Sequence, residues 1–211
     1  TKGTKEPYRM FTSQAEHRLL LREDNADLRL MDFGRRFGLV PDDIYSRFTR
    51  KRKQIERELE RLRNTRINPD ARVQEIIKRI GTAEVSRSFT LAELLRRPEV
   101  SYDDLALLAS PPDGLPDEVI DQVTIQVKYE GYIRREWAQV KQQQKLESWK
   151  IPPDFDYESL TGSTAEAREK LLQGRPFSVG QASRISGVSP ADISVLLVML
   201  QREKQKAQVR N

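Results

Sequence analysis

Asp42 to Thr65 reads DDIYSRFTRKRKQIERELERLRNT, and the reading of this stretch as helix or loop decides the class of the whole chain. An α-helix turns about 100° per residue, so with Phe48 taken as zero, Ile55, Leu59 and Leu62 fall within roughly 40° of it. Arg50, Lys53, Arg57 and Arg61 fall between roughly 140° and 220°, on the opposite side. One apolar row facing away from one charged row is the pattern of a helix that packs one face and solvates the other.

The same signals recur outward from this segment. Ser or Thr followed three residues later by an acidic residue, as in Ser13/Glu16, Thr90/Glu93 and Ser101/Asp104, can satisfy the free amides of a first helical turn. β-Branched alternation is almost absent, so the fold class is all-α. Helices are expected near 13–22, 25–37, 42–65, 70–80, 90–96, 101–108, 117–147, 164–173, 179–186 and 190–207. The exception is a short extended segment at the N-terminus, Glu6 to Thr12, which starts without a cap and resembles a cut through a longer protein. Turn clusters at Ala109–Pro116 and Pro152–Asp154 punctuate the chain. Two helical subdomains are expected, residues 1–112 and 113–211, the second a small C-terminal helical bundle.

Composition narrows the chemistry. With 211 residues the chain can bury a core, and no apolar run approaches the roughly 18 residues of a membrane span, so a soluble chain without membrane contact is expected. No cysteine is present and His17 is the one histidine, which removes thiolate catalysis and multi-histidine metal sites. Glu16 and His17 are adjacent, pointing about 100° apart on a helix, poor geometry for a cooperating pair. No glycine-rich phosphate loop occurs. The chain alone does not read as a complete enzyme.

The formal net charge of +5 is concentrated. Arg47 to Arg66 holds nine Lys or Arg against three Glu, which leaves the remainder near neutrality. Two readings stay open for the outer stripe of the 42–65 helix: a track for a phosphate backbone, or a solvated face paired with flanking glutamates. Lys128 to Glu136, KYEGYIRRE, sets Tyr129, Tyr132, Lys128, Arg134 and Arg135 around Gly131. This is either a stacking and phosphate-contact surface or the crossing point of two helices, with partly buried tyrosines.

Phe177 to Leu200, FSVGQASRISGVSPADISVLLVML, has the outline of a helix-turn-helix. A DNA reader needs Arg, Lys, Asn or Gln in the first turns of its second helix. Ser189-Pro190-Ala191-Asp192-Ile193-Ser194 has none, and Asp192 carries the wrong sign for phosphates. From Ile193 to Leu200 the segment is apolar on nearly every face, so it is covered either by neighbours within the chain or by a partner protein.

Four stretches together resemble one family: EPYRMFTSQAEHRLLLREDNADLRL (Glu6 to Leu30), LLRRPEVSYDDL (Leu94 to Leu105), KYEGYI (Lys128 to Ile133) and GQASRISGVSPADI (Gly180 to Ile193). They occur in the order of the C-terminal part of the GidA/MnmG family, the tRNA uridine 5-carboxymethylaminomethyl modification enzymes. The resemblance implies a cytoplasmic, FAD-dependent homodimer that uses NADH and works with an MnmE-type GTPase on the wobble uridine of tRNA. It also implies that the flavin domain and reactive cysteines lie before Thr1, leaving no cofactor in this chain and no activity for it alone. Two positions depart from the family pattern: Gln14 stands where members usually carry arginine, and Gly162-Ser163-Thr164 stands where Gly-Leu-Ser is common.

On this reading tRNA phosphates meet Arg9, Arg18, Arg50, Lys53, Arg57, Arg61, Lys128, Arg134 and Arg135. The partner GTPase meets Gly180, Gln181, Arg184, Ile193, Leu196, Leu197 and Leu200. The competing expectation is a structural or dimerising helical module with no direct nucleic-acid contact.

Overall fold

A computed structural model describes residues 17–209, with side chains to residue 205. The extended segment expected at Glu6 to Thr12, Arg9 within it, and the Ser13/Glu16 cap lie outside the described residues. The elements in order are α1 (Ala26–Arg36), α2 (Asp42–Asn64), β1 (Arg66–Ile67), α3 (Ala71–Ile80), β2 (Phe89–Thr90), α4 (Leu91–Leu95), α5 (Tyr102–Ala106), α6 (Asp117–Ser148), α7 (Ala165–Gly174), α8 (Val179–Ser183) and α9 (Pro190–Val209). The fold is all but purely helical; β1 and β2 are one antiparallel pair, with Arg66 opposite Thr90 and Ile67 opposite Phe89. No helix among the described residues is long and apolar enough to cross a membrane.

The chain divides into two compact units between Glu136 and Trp137, within α6. The turn near 112, where a subdomain boundary was expected, instead lies inside the first unit: it returns the chain so that Val119, Val123 and Val127 of α6 join the first core.

In the first unit, Ile55, Leu59 and Leu62 of α2 pack with Val73 and Ile77 of α3, Leu91, Leu94 and Leu95 of α4, and Leu105 of α5. The apolar row read from the sequence is thus the buried row, with Phe48 buried as well. Local capping sets the element ends. Asp70 accepts from the Val73 amide, Thr90 and Ser101 form reciprocal boxes with Glu93 and Asp104, and Gly81 ends α3 at φ 82°.

One helical expectation fails in its described part. Residues 17–20 form a turn, with His17 at φ 53°, where a helix over 13–22 was expected. Side chains capture the carbonyls a helix would need: Arg22 donates to Leu19 O, Asn25 to Leu20 O at 3.1 Å, and Arg29 to Arg22 O at 3.3 Å.

In the second unit, Ile193, Leu196 and Leu200 of α9 close on Leu171 of α7, Val179 and Ala182 of α8, and Ile151, Phe155, Tyr157 and Leu160 of the preceding loop. Val195, Leu197 and Met199 pack partly against the same cluster. The apolar helix is therefore covered within its own unit. Buried Asp192 starts two helices at once. As third residue of α9 it exchanges bonds with Ser189, accepting from Ser189 N at 2.9 Å while Ser189 Oγ accepts its amide at 3.2 Å. It also accepts from Thr164 N, ahead of α7, at 2.8 Å. Thr164 caps Ala167 N with its own hydroxyl, but the Ala167 methyl cannot accept from the Thr164 amide, and Asp192 supplies that carboxylate from α9. The Ser189 hydroxyl first, then the Thr164 amide, hold the Asp192 carboxyl below its usual range.

Leu196 is fully buried while Val198 is 48% exposed. Leu196→Ala is expected to cost about 2–5 kcal/mol of second-unit stability. Val198→Ser is expected to stay within about 0.5 kcal/mol. Urea unfolding of both variants is the measurement, and equal midpoints would contradict the buried row.

Candidate nucleic-acid interface

The outer face of α2 is built from what its cations fail to find. Lys51 is held by Asp27 of α1 at 2.9 Å and by Glu118 of α6 at 3.1 Å. Burial opposes its charged form, but the hydrogen bonds to Asp27 and Glu118 outweigh it, and the ammonium titrates above its ordinary range. Arg52 pairs with Asp32 at 2.8 Å and lies 5.0 Å from the Phe48 ring centroid. Arg47 pairs with Asp43 at 3.6 Å, and Arg63 shares Glu130 with Arg96.

Arg61, expected on the outer stripe, is turned inward. Its Nε and Nη2 donate to the two oxygens of Glu58 at 2.8 and 2.7 Å, and the Tyr102 hydroxyl donates to Glu58 Oε1 at 2.7 Å. Glu58 is only 1% exposed, so its charge requires such partners. Arg61 is thereby withdrawn from solvent. The sequence signal was present but faint: Glu58 borders the apolar arc, next to Leu59 and three residues after Ile55.

Arg50, Lys53 and Arg57 remain. All three are exposed, and none makes an ion pair among the described residues. Their spacing places them within about 60° of one another on the helix. The flanking glutamate pairs of the solvated-face reading are not made: Glu56 and Glu60 are exposed and leave the stripe alone. Arg18 is exposed on the 17–20 turn.

On α6 the expected cations separate. Lys128 donates to three carbonyls, Arg97 at 2.9 Å, Pro98 at 3.1 Å and Val100 at 2.7 Å, and so closes the turn after α4. Its three hydrogens are used. Arg134 and Arg135 are exposed, with Arg135 stacked 4.8 Å from the Tyr132 ring centroid.

In the second unit, Gly180 is buried against Glu147. A Cβ there would lie 2.5 Å from the Glu147 carboxyl carbon, so glycine is what lets that carboxylate reach Ser178 Oγ at 2.9 Å and Arg184. The Arg184 guanidinium, then Ser178, keep the Glu147 carboxyl below its usual range. Gln181 accepts from the Phe177 amide. Of the residues expected to meet a partner, Gly180, Ile193, Leu196 and Leu200 are thus interior, Leu197 is half-buried and Arg184 is exposed.

Comparisons with known proteins bear on both units. Residues 42–137 match the family model described as the tRNA modifying enzyme MnmG/GidA C-terminal helical domain, and residues 139–211 match that of the MnmG/GidA C-terminal helical bundle. The chain is 53% identical over 204 residues to the tRNA uridine 5-carboxymethylaminomethyl modification enzyme MnmG of Bacillus cereus, covering 97% of this chain and 32% of that protein. It is 51% identical over 213 residues to the enzyme of the same name from Listeria monocytogenes, covering 98% and 34%. The crystal structure of Aquifex aeolicus GidA (form II) superposes with a TM-score of 0.66 at 40% identity, covering 95% of this chain and 31% of that one. The chain therefore spans about a third of the length of the relatives it matches.

Burial first, then the bond to Glu58, push the Tyr102 phenol from 10.0 up to about 12. A raised folded value means the stabilisation is complete below pH 10.0 and is lost as pH rises through about 12. Tyr102→Phe is expected to cost about 1.5–3 kcal/mol at neutral pH, the range for a hydrogen bond to a charged group. It should also remove one late-ionising tyrosine from an ultraviolet titration. A titration curve with all its late steps intact would contradict the assignment.

Proposed function

Because the chain belongs to the MnmG/GidA family of tRNA-modifying enzymes, we propose that it is the tRNA-contacting helical region of an enzyme adding a carboxymethylaminomethyl group to C5 of the wobble uridine. The whole enzyme is cytoplasmic and homodimeric, uses FAD and NADH, and acts with an MnmE-type GTPase. The described residues are no cradle for a dinucleotide: the two strands are two residues each, and no strand leads through a glycine loop into a helix. Flavin chemistry belongs to the two-thirds of the relatives' length that this chain does not span.

The observation that supports tRNA contact is the row of exposed cations Arg50, Lys53 and Arg57 on the outside of α2, which pair with no carboxylate among the described residues. Each phosphate neutralised releases condensed counterions, so binding by this row weakens as salt rises. Recognition is by backbone shape, since the deep groove of duplex RNA hides the base edges. Arg61 and Lys128 are left out of the contact set, because Glu58 and three carbonyls occupy them. GTPase docking falls to the surface of the second unit, through Arg184, Gln181, Leu197 and Val198, since Ile193, Leu196 and Leu200 are spent on its core.

One observation favours the structural reading beside this one. α1 buries none of its residues, and Leu30, Phe33, Phe37 and Leu39 are all more than half exposed. Exposed apolar side chains gathered on α1 and the turn after it mark an interaction surface.

The triple variant Arg50→Glu, Lys53→Glu, Arg57→Glu is expected to leave the circular dichroism of the chain unchanged. It should weaken tRNA binding and lower the slope of log affinity against log salt by roughly two to three. An unchanged slope and affinity would remove α2 from the interface.

A further inference from the structure

Gly131 lies in the middle of α6, where a glycine is costly for a helix, and the fold gives it no local reason. Its φ is not in the left-handed region, and a Cβ there would meet nothing within 4 Å among the described residues. The helix crossing that would explain it is absent among the described residues of the first unit, and the tyrosines beside it are not core: Tyr129 is 46% and Tyr132 56% exposed. The missing side chain leaves a flat spot on an exposed helix.

The surroundings of that spot have one chemistry. Arg134 and Arg135 stand one turn further on, at three and four residues from Gly131, so both overhang it. Neither has a carboxylate partner among the described residues. Tyr132 is adjacent, and the Arg135 guanidinium already lies 4.8 Å from its ring centroid. Tyr129 and Tyr132 are 6.4 Å apart and tilted by 53°, so neither ring covers the other's face. A helix surface with no side chain at Gly131, a tyrosine ring half exposed with one guanidinium over it, and a second guanidinium beside it suit a planar group linked to a negative charge.

Resting on the reading of this chain as a tRNA-contacting region, we infer that Gly131, Tyr132, Arg134 and Arg135 form a stacking site for an unpaired nucleotide of RNA, separate in role from the phosphate-tracking row of α2. The base lies over Gly131 against Tyr132 and Arg135, and the guanidiniums meet its phosphates. An unpaired base is required because a base within a duplex offers no free face.

The test is binding of the 211-residue chain to a short single-stranded oligouridine and to a blunt RNA duplex, at two salt concentrations. Gly131→Leu fills the depression and favours the helix, so it should keep or raise the thermal midpoint. It should also weaken oligouridine binding roughly 5- to 100-fold, the loss of one stacked base, with duplex binding little changed. Tyr132→Leu should do likewise and Tyr132→Phe should retain affinity. If Gly131→Leu and Tyr132→Leu bind oligouridine as the parent does, while the α2 triple variant loses tRNA, the stacking site is wrong and the tRNA-contacting reading stands. A parent chain that binds no RNA overturns both. Unchanged RNA binding with loss of a protein partner assigns the face to protein and overturns the site.

Discussion

The first unit depends on satisfying the buried carboxylate of Glu58, which lies on α2 beside the buried row of Ile55, Leu59 and Leu62. A charge 1% exposed must be met by opposite charge and hydrogen bonds, and here Arg61 and Tyr102 meet it from α2 itself and from α5. Together with the buried apolar row, that requirement fixes the rotation of α2 about its axis, with Glu58 inward beside Leu59 and Leu62. Rotation in turn decides which cations face outward. Arg50, Lys53 and Arg57 are exposed as a consequence of where Glu58 is buried. The raised Tyr102 phenol is the titration signature of the same cluster.

Around that fixed helix, charge is sorted by neighbour. Asp27, Asp32, Glu118 and Glu130 each take one or two of the cations that α2 and the turn after α4 present. Exposed pairs of this kind contribute little stability, typically under about 1 kcal/mol. Their effect is selective: they neutralise the flanks and leave one row of positive charge. The second unit uses its carboxylates differently: Asp192 accepts from the Thr164 and Ser189 amides ahead of α7 and α9, and Glu147 accepts from the hydroxyl of Ser178, the residue that caps α8.

Helix positions were legible because caps are local. Thr90 and Ser101 stand within three residues of the amides they serve, and the structure realises both boxes. The angular reading of α2 recovered its buried row for the same reason. Failures came where the partner is distant in sequence. Nothing near Lys128 announces three carbonyls around residue 98, and nothing near Ile193 says whether its apolar neighbours meet α7 or another molecule. The turn at 17–20 was misread because Arg22, Asn25 and Arg29 reach back to its carbonyls, a competition that capping patterns do not record. β1 and β2, at two residues each, are too short to carry any periodicity. In the candidate site, position on the helix was legible; which cations stay unpaired was not.

Asp192 completes the start of α7 from 28 residues further along the chain. During synthesis on the ribosome, α7 emerges before the residue that finishes its first turn. The first turn of α7 therefore gains its last hydrogen-bond partner only after the start of α9 has been made. One carboxylate thus ties the starts of α7 and α9 to each other, so that neither first turn is complete without the other.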